Sequence, residues 1–355
     1  MDKYRIDSHK LLYHAPRVAQ WLRGEQVYPI YMEISPSGAC NHRCTFCALD
    51  FMHYQKRFLD ASVLCERLEE MGKCGLKSVM YGGEGEPLMH GQIDKIIGHT
   101  KQCGIDVALT TNAALLSEEL AEQILGNMEW IKVSIAAASR ETYAKIHRTK
   151  PEDFDSVIDN LEKASRIKRR RNLSCTLGMQ MLLLPENKHE AVLLAKTAKE
   201  IGMDYLVIKP YSQHPSSRTE KYKDIKYNEY FYLEEELAQF NSAEFNVIFR
   251  LRTMLKWDEG AKNYSHCLAL PFWSYVDSAA NVWGCSAWLG DDRFLCGNIY
   301  TETFKEIWEG DKRRQSLRWV EKELDSGQCR LNCRMDEINR YLWELKNPPA
   351  HVNFI

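Results

Sequence analysis

Residues 40–47 read CNHRCTFC, three cysteines separated by three residues and then by two. That spacing is neither a zinc ribbon nor a thioredoxin-type pair. Three thiolates on one short loop can hold three irons of a cubane [4Fe–4S] cluster and leave the fourth iron open for chemistry. Zinc would need a further ligand nearby, for which His42 and His53 are the candidates.

Just before the loop, residues 30–35 (IYMEIS) have the pattern of a buried strand, and the same rhythm continues downstream. Strand patterns at 78–81, 106–110, 130–135, 174–184 and 205–209 alternate with helical ones at 59–71, 92–103, 117–125, 151–169 and 188–201. Ser117, followed by Glu118 and Glu119, reads as a helix N-cap with carboxylates in the first turn. Six β–α alternations predict an α/β fold with a parallel sheet curled into a partial (β/α)6 barrel. Functional groups of such folds sit on loops at the C-terminal ends of strands. The rule gathers at one mouth the cysteine loop, GGEGEP (82–87), TTN (110–112), Ser134, Lys209 and Tyr211. The chain divides into an N-terminal arm (1–29), the barrel (30–240), a small α+β module rich in Cys, Trp, Gly and Asp (241–340), and a tail (341–355).

Of 355 residues, 27% are charged and 45% hydrophobic, with a formal net charge of −2, which is ordinary globular composition with no call for a polyanionic partner. The one dense basic run, Lys168–Arg171, reads as the solvated end of a helix rather than a nucleic-acid contact. There is no 18-residue apolar stretch and no signal-peptide core, so a soluble cytoplasmic protein is expected, with no membrane. Twelve cysteines in a reducing compartment favour metal ligation and burial over disulfides.

The loop CNHRCTFC, with an aromatic residue before its last cysteine, resembles the cluster motif of the radical S-adenosylmethionine (SAM) enzymes, and YGGEGEP resembles their glycine–glutamate motif. The resemblance covers roughly residues 30–210. It implies that Cys40, Cys44 and Cys47 ligate a [4Fe–4S] cluster whose open iron SAM chelates. One electron then cleaves the sulfonium to give methionine and a 5′-deoxyadenosyl radical, which removes a hydrogen atom from a substrate carbon. Gly82, Gly83 and Glu84 would meet the methionine ammonium, Phe46 would pack near the adenine, and Ser134 would contact the ribose or carboxylate. Asn112 would reach SAM or substrate, and Arg148 would pair with a carboxylate. A flavodoxin or ferredoxin is the implied electron donor.

In the second module, Cys267, Cys285, Cys329 and Cys333 resemble the ligands of a twitch or SPASM auxiliary [4Fe–4S] cluster, with structural zinc as the competing reading. Its last pair is spaced CxxxC, where CxxC is commoner. The surplus thiol, Cys296, is a candidate hydrogen-atom donor, and Lys209 and Tyr211 are candidates for proton transfer at the mouth. The expected reaction is dehydrogenation or epimerisation of a small molecule, a sugar or an aminocyclitol. Radical modification of a ribosomal peptide is the alternative, disfavoured by an arm too short for a leader-binding domain. Molybdopterin-precursor cyclisation is disfavoured by the ending HVNFI, which lacks a double glycine. A non-enzymatic iron–sulfur scaffold would have no use for GGEGEP.

Overall fold

A computed structural model describes residues 3–354, positions 7 and 261 excepted. Seven strands run parallel in chain order: β1 (Tyr31–Ile34), β2 (Ser78–Tyr81), β3 (Asp106–Thr111), β4 (Trp130–Ser134), β5 (Thr176–Leu182), β6 (Tyr205–Lys209) and β7 (Asn246–Phe249). Beyond β1 the same sheet continues through β8 (Trp273–Val276), β9 (Asn281–Trp283) and β10 (Leu295–Asn298), giving ten strands. β8 is parallel to β1, whereas β9 and β10 are antiparallel to their neighbours. The sheet ends at β7 and β10 without closing, so the architecture is the expected α/β partial barrel.

Helices cover the outside because their apolar residues recur on one face. In Ala61–Lys73, Leu64, Leu68 and Met71 are buried at spacings of four and three. Asp60 caps that helix by accepting from the Ser62 and Val63 amides at 2.9 and 3.0 Å. Ser117 caps Glu118–Ile124 as expected. The basic run closes helix Glu152–Arg170, with Lys168 paired to Asp204, and Arg170 and Arg171 paired to Glu122. Alternate strand residues point inward, so Trp130 and Lys132 of β4, Thr176 and Gln180 of β5, and Tyr205, Val207 and Lys209 of β6 line one lumen.

The domain boundaries differ from those expected. β7 falls within 241–340 yet pairs with β6, making a seventh barrel strand where six were predicted. β8 is hydrogen-bonded along β1, so the C-terminal module extends the barrel sheet instead of standing apart. Helix Asp336–Lys346 crosses the expected start of the tail. The N-terminal arm is packed: Leu11, Val18 and Val27 share a core with Leu268, Phe272 and Leu342. Its Tyr4 ring lies 5.1 Å from that of Tyr205. No helix among the described residues is long and apolar enough to cross a membrane.

Candidate active site and auxiliary thiol cluster

The loop after β1 brings three thiols together. Burial, then the neighbouring Cys47 and Cys40, pushes the Cys44 thiol well above its ordinary pKa; burial raises Cys40 to about 11 and also raises Cys47. Thiols so crowded and desolvated stay protonated on their own and suit a cationic metal centre, which makes them thiolate ligands. Cys40 Sγ accepts from the His42 amide at 3.5 Å. Cys44 Sγ lies 3.2 Å from His147 Nδ1. Because the Ala136 amide donates to His147 Nε2 at 3.1 Å, the proton of the neutral ring is on Nδ1, which donates to the sulfur.

The two histidines weighed as zinc ligands are placed differently. His53 is exposed beside Arg218 at 2.9 Å. His42 is buried, with Nε2 3.4 Å from Asp153. Ligand atoms of His42, Cys44 and His147 lie within 4.8 Å of one another, but the proton on His147 Nδ1 removes that nitrogen from ligation. Phe46 is buried, its ring edge-on to His147 at 5.5 Å.

The loop after β2 is pressed against the cysteine loop. Gly83 has φ +107°, and a Cβ there would lie 2.6 Å from Ser35 Cβ and collide with Tyr275 Oη. A Cβ on Gly85 would overlap the Ser37 and Ala39 carbonyl oxygens. Gly82 meets only Met80 and Thr110 at ordinary or slightly tight range. Glu84 Oε1 accepts from the Ser278 amide at 2.5 Å, and Arg57 is 3.8 Å from Oε2. Glu84 Oε2 and Tyr275 Oη are buried without a hydrogen-bond partner among the described residues. A buried carboxylate oxygen that accepts no hydrogen bond, with its ion-pair partner 3.8 Å away, suits a cationic donor such as an ammonium.

Sequence reasoning passed over Gly85, Glu86, Tyr275 and Ser278. Glu86 ties the loops after β2 and β3 together, accepting from Thr111 Oγ1 (2.6 Å) and the Leu88 (3.0 Å) and Asn112 (2.8 Å) amides. Only the repeated Gly-Glu of GGEGEP hinted at it. Asn112 Nδ2 in turn donates to Asn41 Oδ1 at 2.7 Å, so this residue braces the cysteine loop. Ser134 closes β4 opposite Gln180, half-buried. Arg148 follows helix Arg140–His147 with φ 48° and is exposed, whereas its neighbour His147 turns inward.

Cys267, Cys285, Cys329 and Cys333 line a second cavity together with Leu270, Phe294, Leu324 and Met335. Three of the four sulfurs accept N–H groups: Cys285 from Ala287 (3.4 Å), Cys333 from Met335 (3.4 Å) and Cys267 from Asn339 Nδ2 (3.5 Å). Burial and then Cys333 lift Cys267 to about 12, and Cys285 rises for the same reasons. Four converging thiols with donors aimed at sulfur fit a fully ligated iron–sulfur cluster. The CxxxC spacing is no obstacle, since both of its cysteines reach the cavity.

Cys296 does not join either group. It is 3% exposed on β10, inside the apolar core next to Arg313, and among the described residues it lines neither cavity. Its alternation on an edge strand turns it onto helix Asp311–Lys322, away from the lumen where a hydrogen donor was expected. Tyr211 is also buried, its hydroxyl donating to Gln213 at 3.0 Å, and it lies outside the lumen lining. Lys209 does line the lumen, where burial and then Lys132 hold its amine well below its ordinary pKa.

Residues 34–198 match the radical SAM superfamily, and residues 267–334 match the SPASM iron–sulfur cluster-binding domain. The chain belongs to the radical SAM superfamily and carries a SPASM domain at its C-terminal end. Its cofactors are SAM and two [4Fe–4S] clusters, one in the radical SAM domain and one auxiliary. The GTP 3′,8-cyclase of Chlorobaculum tepidum is 26% identical over 195 residues, 54% of this chain and 57% of that protein. The probable GTP 3′,8-cyclase of Saccharolobus solfataricus is 31% identical over 134 residues, 38% and 42% respectively. The chain thus spans about half the length of these curated relatives. Streptococcus suis SuiB bound to S-adenosylmethionine superposes with TM-score 0.65 at 18% identity, covering 94% of this chain and 79% of SuiB. Native anSMEcpe with bound AdoMet gives 0.56 at 18%, covering 82% and 84%. At these identities the likeness is one of fold.

Proposed function

We propose that the protein is a radical SAM dehydrogenase of a small polar molecule of sugar or cyclitol type, seated in the barrel lumen. Cys40, Cys44 and Cys47 hold the SAM-binding cluster in this reading; Cys267, Cys285, Cys329 and Cys333 hold the auxiliary one. When bound, these groups supply a radical that removes one hydrogen atom from carbon and an acceptor for the second electron. The chain's own residues do the rest. Glu84 Oε2, with Gly82 and Gly83, receives the ammonium of SAM. Phe46 and Ser134 border the remainder of that ligand, and the tight contact at Gly85 keeps the two loops together. Lys209, whose amine burial and then Lys132 hold well below its ordinary pKa, takes the hydroxyl proton of the carbon being oxidised.

The observation that carries dehydrogenation over epimerisation is where the thiols lie: Cys296 is in the core, and Cys333, the one cysteine among the described residues lining the lumen, is assigned to the auxiliary cluster, while the Lys209 amine faces the same space. The test is anaerobic reconstitution with SAM and dithionite. 5′-Deoxyadenosine should form, and a carbinol-deuterated substrate should pass its label into it. Failure to form 5′-deoxyadenosine with any candidate would refute the reading. Retention of full turnover in Lys209→Met, with an unaltered pH profile, would remove the proton-transfer role.

A further inference from the structure

We propose that the substrate carries a phosphate or diphosphate group, held in the barrel lumen by Lys132 and Arg330. This rests on the lumen being the substrate cavity, as proposed above, and it specifies the class of molecule that enters.

The lumen is a cavity of about 420 Å³. Among the described residues, eight lysine and arginine side chains line it, against two carboxylates, Asp336 and Glu337. Both carboxylates are engaged: Lys256 lies 2.9 Å from Asp336 and also contacts Glu337, and Arg340 adds a second contact to Asp336 at 2.9 Å. Arg334 is matched by Glu33 at 2.6 Å. Among the described residues, Lys132 and Arg330 have no carboxylate within ion-pair distance. Asn332, on the loop between Cys329 and Cys333, also lines the lumen, and both its amide atoms are buried without a partner. The lumen therefore holds surplus cations and an idle hydrogen-bonding group facing one space.

A surplus of half-buried cations facing one space is unfavourable alone and favourable around an anion. Burial, then Arg334 and Arg250, hold Lys132 down at about 7, which is the electrostatic strain that a bound anion relieves. One carboxylate would leave most of this charge unmatched, whereas a phosphate dianion or diphosphate meets several cations at once. An aminocyclitol ammonium would be repelled, so the sugar side of the proposed substrate range is retained in phosphorylated form.

The test is calorimetric titration of the cluster-reconstituted holoenzyme with inorganic pyrophosphate at constant ionic strength, with iron content checked before and after. Saturable binding at one site per chain is expected, weakened tenfold or more in both Lys132→Met and Arg330→Met. Two variants on separate elements guard against a local folding defect. Heat no greater than that of sodium chloride at equal ionic strength, or affinity within twofold of the parent in both variants, would overturn the proposal. So would saturable binding of a polyglutamate peptide with none of pyrophosphate. SAM cleavage measured on the same samples separates the two readings. Cleavage without pyrophosphate binding defeats only the anion site, and pyrophosphate binding without cleavage defeats only the proposed reaction.

Discussion

Replacing His147 separates two tasks that one imidazole performs. The ring is fully buried, and burial followed by His42 holds its pKa down at about 3, so it is neutral at working pH. Nε2 accepts from the Ala136 amide at 3.1 Å and Nδ1 donates to Cys44 Sγ at 3.2 Å. If Cys44 ligates the SAM-binding cluster, that donor stabilises the more negative, reduced cluster and raises its potential. A hydrogen bond to a charged group contributes about 1.5–3 kcal/mol. If about half of that differs between oxidation states, the effect is about three- to tenfold in the redox equilibrium, or about 30–60 mV for one electron. His147→Gln keeps an acceptor near the Nε2 position and loses the donor to sulfur. His147→Asn keeps a donor near Nδ1 and leaves the Ala136 amide unpaired. Redox titration monitored by electron paramagnetic resonance should show a midpoint roughly 30–60 mV more negative for the Gln variant and little change for Asn. Thermal denaturation should show the reverse order, with Asn losing about 1–3 kcal/mol. A Gln variant with the parent potential would refute the argument.

Gly85→Ala should separate the two loops at the SAM site, costing at least about 2 kcal/mol and lowering SAM affinity, measured by equilibrium binding and thermal denaturation. Cys296→Ala should keep full product formation while losing about 1–2 kcal/mol of stability from a filled core position. Replacing Cys329 and Cys333 together by Ser should drop iron from about eight to about four per chain, read by iron and sulfide assay. The Lys132 pKa, about 7 in the fold against 10.5 ordinarily, lies below its unfolded value, so the fold is penalised fully below pH 7 and progressively less towards pH 10.5. Lys132→Met should therefore stabilise the substrate-free protein near pH 7 by on the order of 3 kcal/mol, and the gain should shrink as pH rises towards 10. A melting-temperature difference that does not change with pH would contradict this sign.

The parts legible in the sequence are those set by local spacing. The CNHRCTFC loop and the glycine–glutamate motif each sit within a few residues, and the first six strands are announced by period and punctuation. β7 is only NVIF after an acidic stretch, too short for a pattern to declare itself. The pairing of β8 with β1 joins segments about 240 residues apart, which local periodicity cannot report. In HRTK the charged Arg148 drew the reading, but the helix ends there in a left-handed residue that turns it outward, and the buried His147 makes the contact. The lumen cations are single residues scattered over separate strands and loops; strand register and the return of the 330–334 loop bring them together.

The pairing of β8 with β1 also bears on electron flow. β1 leads straight into the cysteine loop, and the turn after β8 clasps Glu84 through the Ser278 amide. A hinge between the two thiol groups would have to break a parallel ladder from Tyr31–Trp273 to Ile34–Val276. The separation between them is thus set once, when the chain folds, so any electron passing between clusters held there would cross a fixed gap.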